Sequence, residues 1–166
     1  MPLKRTIEKA KQDRREGKSP STQAGEFVKE QIDKIRRGEH GARSARQAIA
    51  IGLSEARRAG VPLPPPKKGR TTRRARKSAE YAYAVGQGKR KPRRRPRVSR
   101  AVSRVLKREP RSSASHSALS RQAKRAASRR GSAARSGAAR KAARTKARTR
   151  RSPAPKASRT LGRRTK

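Results

Sequence analysis

The sequence predicts a mostly α-helical chain with extensive disorder. Apolar residues recur at helical spacing near the N-terminus, charge dominates the composition, and the C-terminal part is low in complexity. The chain has 166 residues, with 52 Lys and Arg against 10 Asp and Glu, and a formal net charge of +42. Phe, Ile, Leu and Val number 18 of the 166 residues, or about 11%, well below the roughly 20% under which a highly charged chain is usually disordered. A small core is therefore expected, and a large one is excluded.

Residues 1–60 are predicted to form a helical head. Within it, two amphipathic segments with a short joint predict an antiparallel hairpin over residues 21–60. Gly38 provides a stop for the first helix, and Ser44 with Gln47 forms a capping-box pattern for the second. A weaker stripe in residues 3–16 predicts a third helix. The side chains expected to pack the hairpin are Phe27, Val28, Ile32, Ile35, Ile49 and Leu53.

The charge changes abruptly at a proline segment. Residues 1–66 carry 15 Lys and Arg against eight Asp and Glu, a net +7, whereas residues 67–166 carry 37 against two, a net +35. We therefore expect a proline-rich basic linker at 61–70, a basic region with short helices at 71–130, and a disordered basic tail at 131–166. Like charges four residues apart oppose the basic helices unless a polyanion neutralises them.

Basic runs after the linker predict binding to the phosphate backbone of nucleic acid. Arg-rich stretches grip phosphate bidentately and position a protein without reading bases, so little sequence specificity is expected. Three aromatic residues are too few for extensive base stacking, which favours duplex DNA over single strands. The candidate contacts are Lys67, Lys68, Arg70, Arg73, Arg74, Arg76, Lys77, Lys89, Arg90, Lys91, Arg93, Arg94, Arg95, Arg97, Arg100, Arg104, Lys107, Arg108, Arg121, Lys124 and Arg125.

Several other classes of function have little support in the sequence. The chain has no cysteine, and His40 and His116 lack a nearby nucleophile or metal-ligand pattern. We therefore expect no enzyme, cofactor or metal. No apolar run approaches the ~18 residues of a membrane span, so a cytoplasmic protein of the nucleoid is expected. Arg43 and Arg46 open the second hairpin helix as in a helix-turn-helix reader, but the acidic residues nearby favour a packing or partner surface.

Parts of the head resemble a known family. The segments Lys18 to Val28, His40 to Ser44, Gln47 to Ser54 and Leu63 to Gly69 are similar to a family of small basic proteobacterial proteins of unknown function. The likeness extends over residues 18–125. It implies a bacterial source and the DNA-binding label usually given to members, and it supplies no catalytic residues. Separately, the tail is similar in composition to histone H1-like bacterial proteins.

Together these features predict a nucleoid-associated, architectural DNA-binding protein that neutralises and bridges phosphate backbones. In that account the head serves self-association or a protein partner. Two alternatives remain open at this stage. One is a ribosomal or other RNA-associated structural protein, and the other is an adaptor whose helical head binds a partner while the basic tail tethers it to a polyanion.

Overall fold

A computed structural model describes residues 2–93, 95–129 and 131–151. In these ranges the chain is mostly helical, as predicted, with seven α-helices, one short 3₁₀ turn and no strand. The elements are α1 (Lys4–Arg15), α2 (Pro20–Arg37), α3 (Ala45–Arg58), α4 (Arg73–Gly86), α5 (Pro96–Arg108), the 3₁₀ turn (Arg111–Ala114), α6 (His116–Ser128) and α7 (Ser132–Arg151).

Local capping signals define the ends of α2 and α3. Ser19 caps α2, which begins at Pro20, a position suited to a residue without a backbone N–H. Gly38 ends α2 in the left-handed conformation, with φ of 81°. At α3 the hydroxyl of Ser44 accepts the backbone N–H of Gln47 at 3.3 Å. The Gln47 amide oxygen in turn accepts the N–H of Arg43 at 2.9 Å, one residue before the cap. Both ends of the joint are therefore fixed by local hydrogen bonds.

Helices α2 and α3 pack antiparallel. Ala24 and Phe27, early in α2, share a buried cluster with Ala56, late in α3. Ile35, late in α2, shares a second cluster with Ala48, early in α3. Most of these side chains are small, so the core of the chain is built largely from alanine. Its stability depends on close backbone approach more than on apolar volume.

The six side chains expected to pack the hairpin differ in burial. Phe27 and Ile35 are fully buried. The other four are half-buried; of these, Ile32 packs against one cluster and Leu53 against the other. The half-buried residues are Val28, Ile32, Ile49 and Leu53.

Helix α1 is joined to α2 by a buried carboxylate. The side chain of Glu30, which is 5% exposed, accepts the backbone N–H of Leu3 at 3.1 and 3.2 Å. Leu3 is the N-cap of α1 and has no side-chain cap of its own, so Glu30 serves as that cap from another helix. Lys34 pairs with the same carboxylate. The acid thereby satisfies the N–H of Leu3 and the ammonium group of the buried Lys34.

A second buried acid holds the turn between α1 and α2. Asp13 is 1% exposed and lies 2.8 Å from the ammonium group of Lys18. The hydrogen bonds that Lys18 donates to Asp13 and to Glu16 raise the pKa of Lys18 above its ordinary value. The side chain of Gln23 also donates to the carbonyl of Lys18 at 2.8 Å. These contacts fix the direction in which the chain enters α2.

The compact unit extends beyond the proline segment and comprises Met1–Ala123. The guanidinium of Arg57, which is 8% exposed, donates to the carbonyls of Leu63 and Pro64 at 3.2 and 3.3 Å and folds the prolines onto α3. Burial lowers the pKa of Arg57. Helix α4 then packs on α3 through Gly86, where an added Cβ would lie 1.7 Å from the carbonyl oxygen of Arg57. The abrupt change in charge therefore falls inside one compact unit.

The end of α5 and the 3₁₀ turn also contact the head. The backbone N–H of Gly41 donates to the carbonyl of Leu106 at 2.8 Å. Ala114 is buried in the same cluster as Ile35, and its carbonyl accepts a 3.0 Å hydrogen bond from Arg36. Residues far apart in sequence thus close the second cluster of the core.

A second unit comprises Lys124–Lys166. The expectation of an unstructured tail from residue 131 is corrected for Ser132–Arg151, which form α7. Alanine and arginine are strong helix formers, and their propensity outweighs the low complexity on which the expectation relied. Every described side chain of α7 is exposed. Residues 152–166 of the expected tail lie outside the described residues.

The glycine at the crossing of α2 and α3 provides a test of this packing. A Cβ at Gly52 would lie 2.7 Å from the Cα of Val28, whereas one at Gly25 would meet nothing within 4 Å. Both glycines are helical, so alanine raises helix propensity equally at each site. We expect Gly52→Ala to lower the free energy of unfolding by about 1–3 kcal/mol through overpacking. Gly25→Ala should raise it by about 0.5–1 kcal/mol. Urea unfolding followed by circular dichroism measures both, and equal effects would contradict the packing.

The buried carboxylate predicts a pH dependence of stability. Burial raises the pKa of Glu30, but hydrogen bonds from Lys34, Thr6 and the Leu3 N–H outweigh it, so the net pKa lies below the ordinary 4.5. Its stabilisation is therefore present above pH 4.5 and is lost as the pH falls through the folded-state pKa. Glu30→Gln should lower the free energy of unfolding at neutral pH by about 1–3 kcal/mol, with the difference from native shrinking in acid.

Glu26→Gln is the matched control for this change. Glu26 lies on the same helix and is half-buried, so the substitution alters the charge equally without removing a cap. Unfolding in urea across a pH series should leave this variant close to native. A pH-independent loss in Glu30→Gln would show that the carboxylate charge plays no part.

Candidate nucleic-acid interface

The predicted contact residues in the described ranges are mostly exposed and unpaired cations. Of the 21 candidates, Arg76 is half-exposed and Arg94 lies outside the described residues. Arg76 pairs with Glu80 at 3.4 Å, which is the one ion pair within the described part of residues 67–151. The exposed candidates are Lys67, Lys68, Arg70, Arg73, Arg74, Lys77, Lys89, Arg90, Lys91, Arg93, Arg95, Arg97, Arg100, Arg104, Lys107, Arg108, Arg121, Lys124 and Arg125.

Five of the eight acids of the head, in contrast, are engaged within the protein. Asp13 and Glu16 pair with Lys18, and Glu39 accepts two hydrogen bonds from Arg37. Glu55 accepts a 2.7 Å hydrogen bond from the buried amide of Gln31. The charges of the head are thus partly compensated within it, whereas those of the following region are largely uncompensated. The positive field of the protein therefore originates mainly after the proline segment.

Helix α5 presents four cations and two hydroxyls around one shallow, open depression of about 710 Å³. Helical spacing brings these side chains to the polar side of α5. Guanidinium, ammonium and hydroxyl groups all donate hydrogen bonds to phosphate oxygens. The lining residues are Arg97, Ser99, Arg100, Ser103, Arg104 and Lys107.

The basic loop, residues 88–95, is folded back on α4 by a tyrosine. The Tyr81 hydroxyl accepts the backbone N–H of Arg93 at 2.7 Å, and the Arg90 guanidinium lies 5.1 Å from the centre of its ring. This cation–π contact orders one arginine without neutralising it. No local pattern in the sequence indicates this role of Tyr81, because its partner Arg93 lies twelve residues away.

The N-terminus of α4 adds a cluster of cations at a helix start. Thr72 caps the helix by accepting the N–H of Ala75 at 3.3 Å. Arg73, Arg74 and Lys77 are exposed in the first turns that follow. Cations are unfavourable at this positive end of the helix dipole, and bound anions are favourable there. A phosphate would therefore relieve repulsion that the free helix contains.

Helix α7 carries basic residues that were not among the candidates. It spans 20 residues, or about 30 Å. Regular placement of basic residues among alanines is typical of an exposed helix and was the signal available in the sequence. The exposed cations described on it are Arg135, Arg140, Lys141, Arg144 and Lys146.

The described ranges contain little that would form a metal site or a membrane span. No group of three or more His, Asp or Glu side chains is placed there to hold a metal ion. No described helix is long and apolar enough to cross a membrane. His40 lies in the joint between α2 and α3, with Nε2 3.1 Å from Gln31 Oε1 and Nδ1 2.9 Å from the Gly41 carbonyl. Its ring thus takes part in the hydrogen bonding that holds the joint.

Comparison with known proteins finds one similarity, confined to the N-terminal part. Residues 3–68, less than half of the chain, match the sequence model of a family of unknown function (DUF6496). The match includes α1, which the expected likeness over residues 18–125 omitted, and it stops before α4. Neither the curated proteins nor the solved structures contain a significant match to the chain. The head, with the proline segment, is therefore similar to a family whose function is unknown.

Proposed function

We propose that the protein binds duplex DNA through its phosphate backbone, with little sequence specificity, and acts as a nucleoid-associated architectural protein. The observation that carries this proposal is the exposed and nearly unpaired set of cations after residue 66. In the described ranges only Arg76 of this set has an acidic partner within 4 Å. Surface cations without partners repel one another, and a polyanion relieves that repulsion.

The length of α7 is comparable to a stretch of duplex DNA that carries many phosphates. DNA carries one negative charge per about 1.7 Å of its axis, so the roughly 30 Å of α7 extends along many phosphates. The two tyrosines, Tyr81 and Tyr83, are half-buried on α4, and Tyr81 is already engaged by Arg90 and Arg93. Base stacking thus has few platforms, which supports a duplex over a single strand.

We propose a binding role for the protein and not an enzymatic one. The cations act by neutralising and positioning phosphates, which needs no catalytic group or cofactor. Several separate clusters, at the start of α4, in the basic loop, on α5 and on α7, would allow one molecule to contact two duplexes. In this account such bridging compacts DNA, while the partly compensated head serves self-association or a protein partner.

A charge-matched pair of variants tests the location of the interface. Lys89, Arg90, Lys91, Arg93 and Arg95 are exposed in the basic loop, and Lys4, Arg5, Lys11, Arg14 and Arg15 are exposed on α1. Each set is changed to glutamine, so both variants lose the same charge. The measurement is the salt dependence of affinity for a labelled random-sequence duplex. Ten native contacts would give a slope near −9 in log–log form.

The loop variant should flatten that slope by up to about 4.5, since each phosphate contact contributes about 0.9. The α1 variant should change it by less than about 1, because these cations lie outside the interface. Equal changes would mean that net charge alone governs binding. In the same assay, double-stranded RNA competing at least about tenfold better than DNA at physiological salt would favour the RNA-associated alternative.

A further inference from the structure

Helix α5 exposes an apolar stripe that the described parts of the chain leave uncovered. Val98, Val102 and Val105 are 53%, 50% and 57% exposed. They lie at positions i, i+4 and i+7, so they form one face of the helix. Among the described residues, the other exposed large hydrophobic side chain is Leu3 on α1. Exposed apolar surface is thus concentrated on a single helix.

This stripe is presented by an anchored helix. The last turn of α5 is tied to the head, because the Leu106 carbonyl accepts the Gly41 N–H at 2.8 Å and the Pro110 carbonyl accepts the Ala42 N–H at 3.3 Å. A Cβ at Gly41 would lie 1.8 Å from the Glu109 carbonyl oxygen, so the two segments touch. The compact unit holds α5 by this end and still leaves its valines open to solvent.

The charges beside the stripe restrict what covers it. Helical spacing places Arg97, Arg104 and Arg108 along one border of the stripe and Ser99 and Ser103 along the other. The helix Pro96–Arg108 contains no acid. An occupant must therefore offer an apolar layer beside a dense array of negative charge. A second copy brings a like-charged helix, and three half-exposed valines fall far short of the ~800 Å² per partner of a stable protein interface.

We propose that α5 docks on an anionic lipid surface. It would lie in the plane of the interface, with its valines at the boundary of the acyl chains and its arginines among the lipid phosphates. A short amphipathic helix binds weakly through its apolar face alone, and adjacent cations supply the second signal. Arginine stems cover apolar surface while their heads reach phosphate, which suits Arg97, Arg104 and Arg108 at the stripe's edge.

This role goes beyond the proposed DNA binding and uses a different face of α5. The depression centred on Arg100 and Lys107 lies on the polar side of the helix, and the valines lie on the opposite side, while Arg97 and Arg104 border both surfaces. Cations at the start of α4 and on α7 remain available for DNA. A protein with both activities would hold DNA close to a membrane surface.

The test is binding of the full chain to vesicles at physiological ionic strength, measured by co-sedimentation. Native protein should bind vesicles of phosphatidylcholine mixed with phosphatidylglycerol and not vesicles of phosphatidylcholine alone. The variant V98T/V102T/V105T keeps the shape and β-branching of the side chains while making the stripe polar. It should bind the anionic vesicles at least about tenfold more weakly. The reverse exchange, S99V/S103V, widens the stripe and should strengthen binding.

Three results would overturn the proposal. The first is equal binding of the threonine variant and native protein to anionic vesicles, because adsorption then occurs through charge alone. The second is equal binding of native protein to both vesicle types, because lipid charge is then not recognised. The third is valine-dependent binding to an acidic amphipathic helical peptide without binding to any vesicle, which assigns the stripe to a protein partner. Duplex binding by the threonine variant should equal native, so failure of DNA binding is scored separately.

Discussion

Coulombic repulsion among 52 basic side chains, opposed by 10 acids, is the constraint to which this structure conforms. Three acids of the compact unit pair with donors or cations within it. Glu30 caps α1 from α2, Asp13 holds the turn before α2, and Glu55 accepts from the buried Gln31. Each of these buried or half-buried carboxylates has a donor or a cation as its partner, which offsets the cost of its own burial. Most of the remaining positive charge lies after residue 66, where the described basic side chains are largely exposed, and we propose that an anionic partner neutralises it.

A core with few large apolar residues is compatible with this charge because small residues bring backbones together. Alanines dominate the buried set, and Gly41, Gly52 and Gly86 each touch the backbone of another segment. These three approaches join α5 to the head, α3 to α2 and α4 to α3. They also explain how a chain that changes so sharply in charge keeps α4 and α5 in the same compact unit as the head. The surfaces proposed for DNA and for lipid are therefore held by ordered helices.

Local signals were sufficient to predict much of the helical structure. Gly38 ends α2, and Ser44 with Gln47 caps the start of α3. Each cap involves only residues a few positions apart, so sequence spacing alone predicts it. The contact of Gly86 with the Arg57 carbonyl and the hydrogen bond from Arg93 to Tyr81 join distant residues. Such contacts between distant residues produce no periodic pattern in the sequence. A glycine such as Gly86 also resembles an ordinary turn signal. Low complexity predicts disorder from residue 131, whereas Ser132–Arg151 form α7 because alanine and arginine have strong helix propensity.

The central claim is that the uncompensated cations hold the protein on DNA in the cell. The most direct measurement is the sedimentation of native protein from gently lysed cells after treatment with DNase or with RNase, each at physiological salt. The account predicts that DNase moves the protein from fast-sedimenting complexes to the soluble fraction and that RNase leaves it in place. Release by RNase alone would contradict the account.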